Sequence, residues 1–352
     1  GGTVNNYTGK HYGIIINTIT TGLIPGNFKW YDVPAQKSEW ALYSKWEHPL
    51  GKGWESYLDL QFRNVNYTIN GFEKNPSLIV KSNYLFFNPK AGITYVQKNW
   101  KAHLSYAQST KEPNRDDFET SPIDAPKPEQ LHDIEAGFQR DFDKWHVSAN
   151  LYYMNYQNQL VLTGKVNDVF AYTRSNIPNS YRAGIELESG YTPFSWLSLA
   201  GNVTISKNKI QHFTEYIDDY DAGGQKNIEH HNTDISFSPN IIGSFTIDAT
   251  LTHDLHLTAF TKYVGKQYLD NTSNNNRSLS AYATEDLRWS YHFNPKKIKS
   301  MECYLQLNNI FSKKYVANGY TFSYIYGGEK TTENYYYPMA TFNWMLGLNI
   351  RL

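Results

Sequence analysis

The sequence predicts an all-β protein: a transmembrane antiparallel β-barrel with about fourteen strands in this chain. Three observations predict it. Apolar and polar residues alternate with a period of two in segment after segment, short and long connections alternate strictly, and tryptophans recur directly after the short connections. A period of two places successive side chains on opposite faces of an extended chain, so each segment reads as a two-faced strand.

In chain order, the first such segment lies near 11–23, followed by 38–48, 54–66, 90–97, 101–109 and 130–141. "WHVSANLYYM" sets Trp145, Val147, Ala149, Leu151 and Tyr153 against His146, Ser148, Asn150, Tyr152 and Met154. After 180–191, "WLSLAGNVTIS" sets Leu197, Leu199, Gly201, Val203 and Ile205 against Ser198, Ala200, Asn202, Thr204 and Ser206. Segments at 235–251, 255–268, 278–293 and 301–311 precede the last, "TFNWMLGLNIRL", where Phe342, Trp344, Leu346, Leu348, Ile350 and Leu352 oppose Asn343, Met345, Gly347, Asn349 and Arg351. No segment passes the corresponding test for a helix. The chain reads as one β-barrel domain over 1–352.

The connections at 49–53, 97–99, 141–144, 192–195, 252–254 and 294–300 are short. Those near 24–37, 70–83, 110–128, 158–178, 208–233, 269–277 and 316–336 are long and polar. One end of the sheet therefore carries tight turns and the other large loops, as in outer-membrane barrels. A sandwich or propeller has no reason to sort its loops this way. Trp54, Trp100, Trp145 and Trp196 each follow a short turn, so they sit at one height and form part of an interfacial girdle.

Composition excludes other classes. The formal net charge of the 352 residues is +0, so the charge balance does not point to a nucleic-acid partner. Cys303 is the one cysteine, so no internal disulfide forms. Mean hydropathy is −0.60, and there is no apolar run of the roughly 18 residues a membrane helix needs. Yet 29 tyrosines and 9 tryptophans are what a bilayer interface favours.

Charge decides which register meets lipid. In "YRAGIELESGY", Tyr181, Ala183, Ile185 and Leu187 share one face, and Arg182, Glu186 and Glu188 the other. An Arg on the lipid face at mid-membrane costs about 2–4 kcal/mol, so the charged face is expected to line the lumen. Asp133 with Glu135, Asp286 with Arg288, and Asp59 with Arg63 follow the same rule.

Catalytic motifs are absent: there is no G-x-S-x-G, H-E-x-x-H, Walker or Rossmann pattern. The expectation is a non-enzyme without a cofactor; an enzyme or adhesin on a barrel scaffold is the remote alternative. Glu215, Asp218, Asp219 and Asp221 crowd "EYIDDYDAGG" without the EF-hand spacing, which favours a hydrated acidic loop over bound Ca²⁺. His230 and His231 are adjacent on an extended segment and point opposite ways, so no metal is expected there.

Six segments carry a resemblance: "NPKAGITY", "YAQSTKEPNRDDFE", "PKPEQLHDIEAGFQ", "NLYYMNYQNQLVLTGKVND", "NIPNSYRAGIELE" and "LNNIFSKKY". In this order and spacing they resemble the C-terminal barrel of a TonB-dependent outer-membrane receptor, of the siderophore or cobalamin type. The resemblance implies a 22-stranded barrel in the outer membrane of a Gram-negative bacterium, filled by an N-terminal plug. It also implies TonB-energised import of a scarce nutrient complex: a ferric siderophore, cobalamin or haem. The implied partners are outer-membrane lipid, a bulky extracellular metal chelate or cobalamin, TonB acting through the plug, and a surface lipoprotein. Ligand contacts would come from Arg115, Tyr172, Arg174, Tyr320, Phe322, Tyr324 and Tyr326. The sequence departs from the family in carrying neither plug nor TonB box, and Leu352 stands where a terminal Phe is usual.

The alternative is a complete fourteen-stranded passive channel. Against it, Thr8-Gly9-Lys10 reads as a turn flanked by Tyr7 and Tyr12. Gly1 to Tyr7 is then too short for a spanning strand of roughly 9–11 residues. The expectation is a chain that begins inside a strand, with about eight more strands and the plug upstream.

Overall fold

A computed structural model describes residues 1–16, 25, 27–73, 75–120, 125–166, 172–293, 295 and 298–351. The strands run β1 (Gly2–Ile15), β2 (Phe28–Gly51), β3 (Trp54–Asn70), β4 (Ile79–Gln97), β5 (Trp100–Lys111), β6 (Glu129–Asp141), β7 (Trp145–Val166), β8 (Tyr172–Phe194) and β9 (Leu197–Asp219). They continue as β10 (Gln225–Asp234), β11 (Ile241–Thr250), β12 (Leu255–Val264), β13 (Gln267–Tyr268), β14 (Ser278–Leu279), β15 (Tyr282–Phe293), β16 (Ser300–Asn308), β17 (Val316–Tyr326), β18 (Glu329–Pro338) and β19 (Asn343–Arg351). One short helix, α1 (Arg115–Thr120), lies between β5 and β6.

Each strand from β1 to β9 pairs antiparallel with the next. The meander then continues through β11, β12, β15, β16 and β19. Setting aside β10, β13, β14, β17 and β18 from the nineteen leaves the fourteen strands expected. The sheet does not close: among the described residues β1 pairs only with β2, and β19 only with β16.

The two faces are chemically distinct across the ladder. Ile93, Leu104, Ala136, Leu151, Ile185, Ile205 and Ile241 form one row across seven strands. The row beside it, on the other face, is Thr94, His103, Gly137, Asn150, Glu186, Thr204 and Ile242. Leu104, Leu151 and Ile205 stay about half exposed (53%, 55% and 49%). A continuous apolar face of this extent marks a surface for membrane or protein contact, and facing lipid it matches the outer face of a transmembrane barrel.

At the short-turn end the girdle is a chain of ring contacts. Trp54 meets Tyr95 at 4.7 Å, Tyr95 meets Trp100 at 4.9 Å, and Trp100 meets Phe138 at 6.0 Å. Farther along, Trp145 stacks on Tyr191 at 4.0 Å. The tight turn before Trp54 holds Gly51, Lys52 and Gly53 at φ of 86°, 52° and 85°. A Cβ at Gly53 would collide with the Val96 carbonyl, so glycine is required there.

Several expectations are corrected. Thr8-Gly9-Lys10 is not a turn: β1 runs unbroken through it, paired to Gln36, Ala35 and Pro34 of β2. Tyr7 and Gly9 share a face, and the Tyr7 ring lies over the bare glycine, which keeps the strand extended. Much of the long polar "loops" is strand. β7 with β8 and β9 with β10 continue pairing above the level of the short-loop sheet, and β17 with β18 form a hairpin of their own. A helix does occur. Asn114 and Asp117 cap α1 reciprocally, the Asp117 amide donating to Asn114 Oδ1 (3.2 Å) and the Asn114 amide to Asp117 Oδ2 (2.7 Å). Six residues are too few to show a helical period.

Buried apolar clusters lie at the long-loop end. Val161, Ile177, Ile210, Phe213 and Ile235 form one, and Ile69, Phe72 and Phe118 another.

Candidate functional site at the long-loop end

On β17 the alternation is aromatic on one side and small on the other. Tyr320, Phe322 and Tyr324 line one face, while Gly319, Thr321 and Ser323 turn to the protein. Tyr320 stacks on Tyr335 of β18 at 4.8 Å, Phe322 on the same ring at 6.0 Å, and Tyr220 meets Tyr324 at 5.9 Å. Glu333 accepts hydrogen bonds from the Tyr324 hydroxyl (3.2 Å) and the Tyr335 hydroxyl (2.5 Å). These bonds to a carboxylate raise both phenol pKa values. Tyr326 ends the strand at 71% exposure. Such a face offers flat apolar rings with one acceptor set among them.

Behind it lies Arg277. Its Nη1 donates to Glu215 Oε1 and Asp270 Oδ2, each at 2.6 Å, and its Nη2 to Ser323 Oγ at 2.6 Å. His230 Nε2 lies 2.9 Å and Lys330 Nζ 3.4 Å from Glu215. Burial pushes the Glu215 carboxyl up, but Arg277, His230 and Lys330 outweigh it and hold the pKa below its ordinary value. At the tips, Asp221 accepts the amides of Gly327 (2.9 Å) and Gly328 (2.8 Å), and β17 runs parallel to β9 at Asp218 and Asp219. The β9–β10 and β17–β18 hairpins are thus fastened to each other and to the 270–277 segment.

The acidic segment is accounted for within the protein. Asp219 accepts the amides of Asp221 and Ala222, and Asp218 accepts from Gln225. His230 and His231 do point apart: His230 faces Glu215, and His231 faces His212 at 2.8 Å.

Arg115 and Arg174 gather at α1. Arg115 donates to the Gly71 carbonyl (3.0 Å) and lies over the Phe72 ring at 4.7 Å; Arg174 pairs with Asp117 at 2.7 Å. They brace α1 against its neighbours, apart from the β17 aromatics. Tyr172 begins β8, and its side chain lies outside the described residues, as do all of Leu352 and 17–24.

The charged residues expected on one face do share it. Asp133, Met154, Arg182 and Asn208 form a row, with Glu135 two positions along β6 and Glu186 and Glu188 on the same side of β8. Asp286 and Arg288 continue that face through Phe260 and Thr258, and Arg288 pairs with Glu302 at 2.9 Å. Arg63 does more than its sequence suggests. It forks onto Glu112 with two bonds of 2.8 Å, holds Glu39 at 2.9 Å, and Lys37 joins Glu112 at 2.8 Å. The sequence reading missed Lys37, Glu39, Glu112 and Arg277. The one available signal was a lone Arg in the otherwise uncharged "NTSNNNRS".

A family model described as TonB dependent receptor-like, beta-barrel matches residues 1–310. No curated protein matches the chain. Among solved structures, the closed form of the ferric-catecholate import receptor Fiu from E. coli K12 is 15% identical at a TM-score of 0.69, covering 99% of this chain and 51% of that one. The ferric citrate transporter FecA in its unliganded form is 16% identical at 0.69, covering 99% and 50%. The copper transporter OprC is 12% identical at 0.72, covering 98% and 54%. This chain spans about half the length of these structures. Identities this low establish a common fold.

Proposed function

Since the chain belongs to the TonB-dependent receptor-like β-barrel family, we propose that it is barrel wall from an outer-membrane receptor that imports a scarce nutrient complex, a ferric siderophore, cobalamin or haem, with energy from TonB. The observation that carries this reading is the aromatic face of Tyr320, Phe322, Tyr324 and Tyr335 at the long-loop end of a sheet whose other end carries the girdle. Flat rings suit a bulky, partly aromatic chelate, and by resemblance to the family Arg115, Arg174 and Tyr172 would add polar contacts. Asp133, Glu135, Arg182, Glu186, Glu188, Asp286 and Arg288 would line the lumen. The free edges of β1 and β19 expose backbone donors and acceptors, costly in lipid. Further strands outside this chain would pair them, a plug would fill the lumen and receive TonB, and a surface lipoprotein would be an outer partner.

The similar structures import ferric chelates or copper by their names, which favours a metal chelate as cargo. The test is uptake of labelled ferric siderophore, haem and cobalamin by cells with and without the protein, repeated without TonB. Protein-dependent, TonB-dependent uptake of one cargo is expected. Ion conductance in a planar bilayer with no saturable uptake would favour the passive channel instead.

A further inference from the structure

The turn between β4 and β5 carries a recess that the transport reading does not use. It is a cavity of about 350 Å³ lined by Gln97, Lys98, Asn99, Trp100, Phe138 and Arg140. Trp100 and Arg140 are direct partners across the β5–β6 ladder, and Ala102 with Phe138 and Leu104 with Ala136 follow on the same face. Arg140 therefore stands on the apolar register, at its very end, where the aromatic girdle lies. Lys98 occupies the turn at φ 49° and lines the recess.

Among the described residues neither Lys98 nor Arg140 forms an ion pair. Asp141, next to Arg140, is on the opposite register and is held by His146 Nδ1 at 2.6 Å. The Arg140 guanidinium lies instead over the Phe142 ring at 4.5 Å. Two cations and the Gln97 amide thus line the recess together with Trp100 and Phe138, while the Asn99 amide is held by the Asp141 carbonyl at 2.5 Å, and an apolar strip leads away from the recess toward mid-sheet. Anionic phosphate suits the rim, and an acyl chain suits the strip.

We propose that this recess binds the headgroup phosphate of an anionic phospholipid in the leaflet on the short-turn side, with the acyl chain lying along Ala102, Leu104 and Ala136. The inference rests on the membrane placement proposed above.

The test is native mass spectrometry of the natural protein, released from detergent with equal phosphatidylglycerol and phosphatidylethanolamine. Phosphatidylglycerol is expected to stay bound in preference. Lys98→Asn, which keeps a residue tolerant of the turn, and Arg140→Gln are each expected to weaken it roughly fivefold. Lys144→Asn, in the next short turn, is expected to leave it unchanged. Equal retention of both lipids, or no loss in the Lys98→Asn/Arg140→Gln double variant, overturns the proposal. So does displacement of the lipid by inorganic phosphate alone, which marks a free-phosphate site. If the membrane placement itself is wrong, neither lipid remains bound, and that result is distinct from the others.

Discussion

Arg277 and Glu215, 62 residues apart in the chain, meet at 2.6 Å with side chains only 4% and 7% exposed. The pair joins the 270–277 segment to β9, and Ser323 extends the bond to β17. Removing one partner of a buried pair leaves an uncompensated charge and costs about 3–5 kcal/mol. Arg277→Ala is therefore expected to raise hydrogen exchange in 213–218, 267–279 and 321–332 and to leave the lower rungs of β9 and β11 protected. Uniform loss of protection, or none, contradicts this account of the fastening.

The same cluster is acid-sensitive. Against the upward push of burial, Arg277, His230 and Lys330 hold the Glu215 carboxyl below the ordinary glutamate pKa of 4.5 in the folded state. Its contribution to stability is complete above 4.5 and disappears as pH falls through the depressed folded value. Exchange in the β9–β10 and β17–β18 hairpins is expected to rise on acidification below 4.5. Glu215→Gln is expected to show raised exchange already at neutral pH and to flatten the dependence.

Leu348 and Asn349 test the two faces of the last strand. Leu348 lies opposite Cys303 on the apolar register, and Asn349 donates to Glu302 on the polar one. Leu348→Arg places a charge in hydrocarbon at about 2–4 kcal/mol, whereas Asn349→Arg puts it beside a carboxylate. Folded yield in lipid is expected to fall for the first and hold for the second.

Ile185 and Glu186 make the same test by chemistry. In a Cys303→Ser background, a Cys at 186 is expected to react with a membrane-impermeant thiol reagent, and a Cys at 185 with a lipid-soluble one. A reversed pattern would mean that β8 is slipped by one residue.

The β17 aromatics bear on cargo. Tyr320 and Phe322 share contact with the Tyr335 ring, and an aromatic pair contributes about 0.5–1.5 kcal/mol beyond its buried area. Tyr320→Ala and Phe322→Ala are expected to raise the half-saturating cargo concentration about threefold to tenfold each, with barrel yield intact. Unchanged uptake would separate these rings from cargo binding.

The meander, its fourteen strands and the identity of the apolar face were legible in the residues, because each depends only on a period of two and on where turns fall. The row from Ile93 to Ile241 needs no distant partner to declare itself. The interruptions at 235–240 and 309–315 were not legible. There the chain leaves the main ladder to build hairpins held by contacts such as Arg277 with Glu215 and Asp221 with Gly327, which local alternation does not encode. Gly9 misled for a related reason: a glycine signals a turn unless a neighbouring ring covers it, and Tyr7 does. The Arg63–Glu112 fork likewise joins side chains 49 residues apart, and pairing at that separation arises only when β3 and the segment after β5 are folded onto the same face.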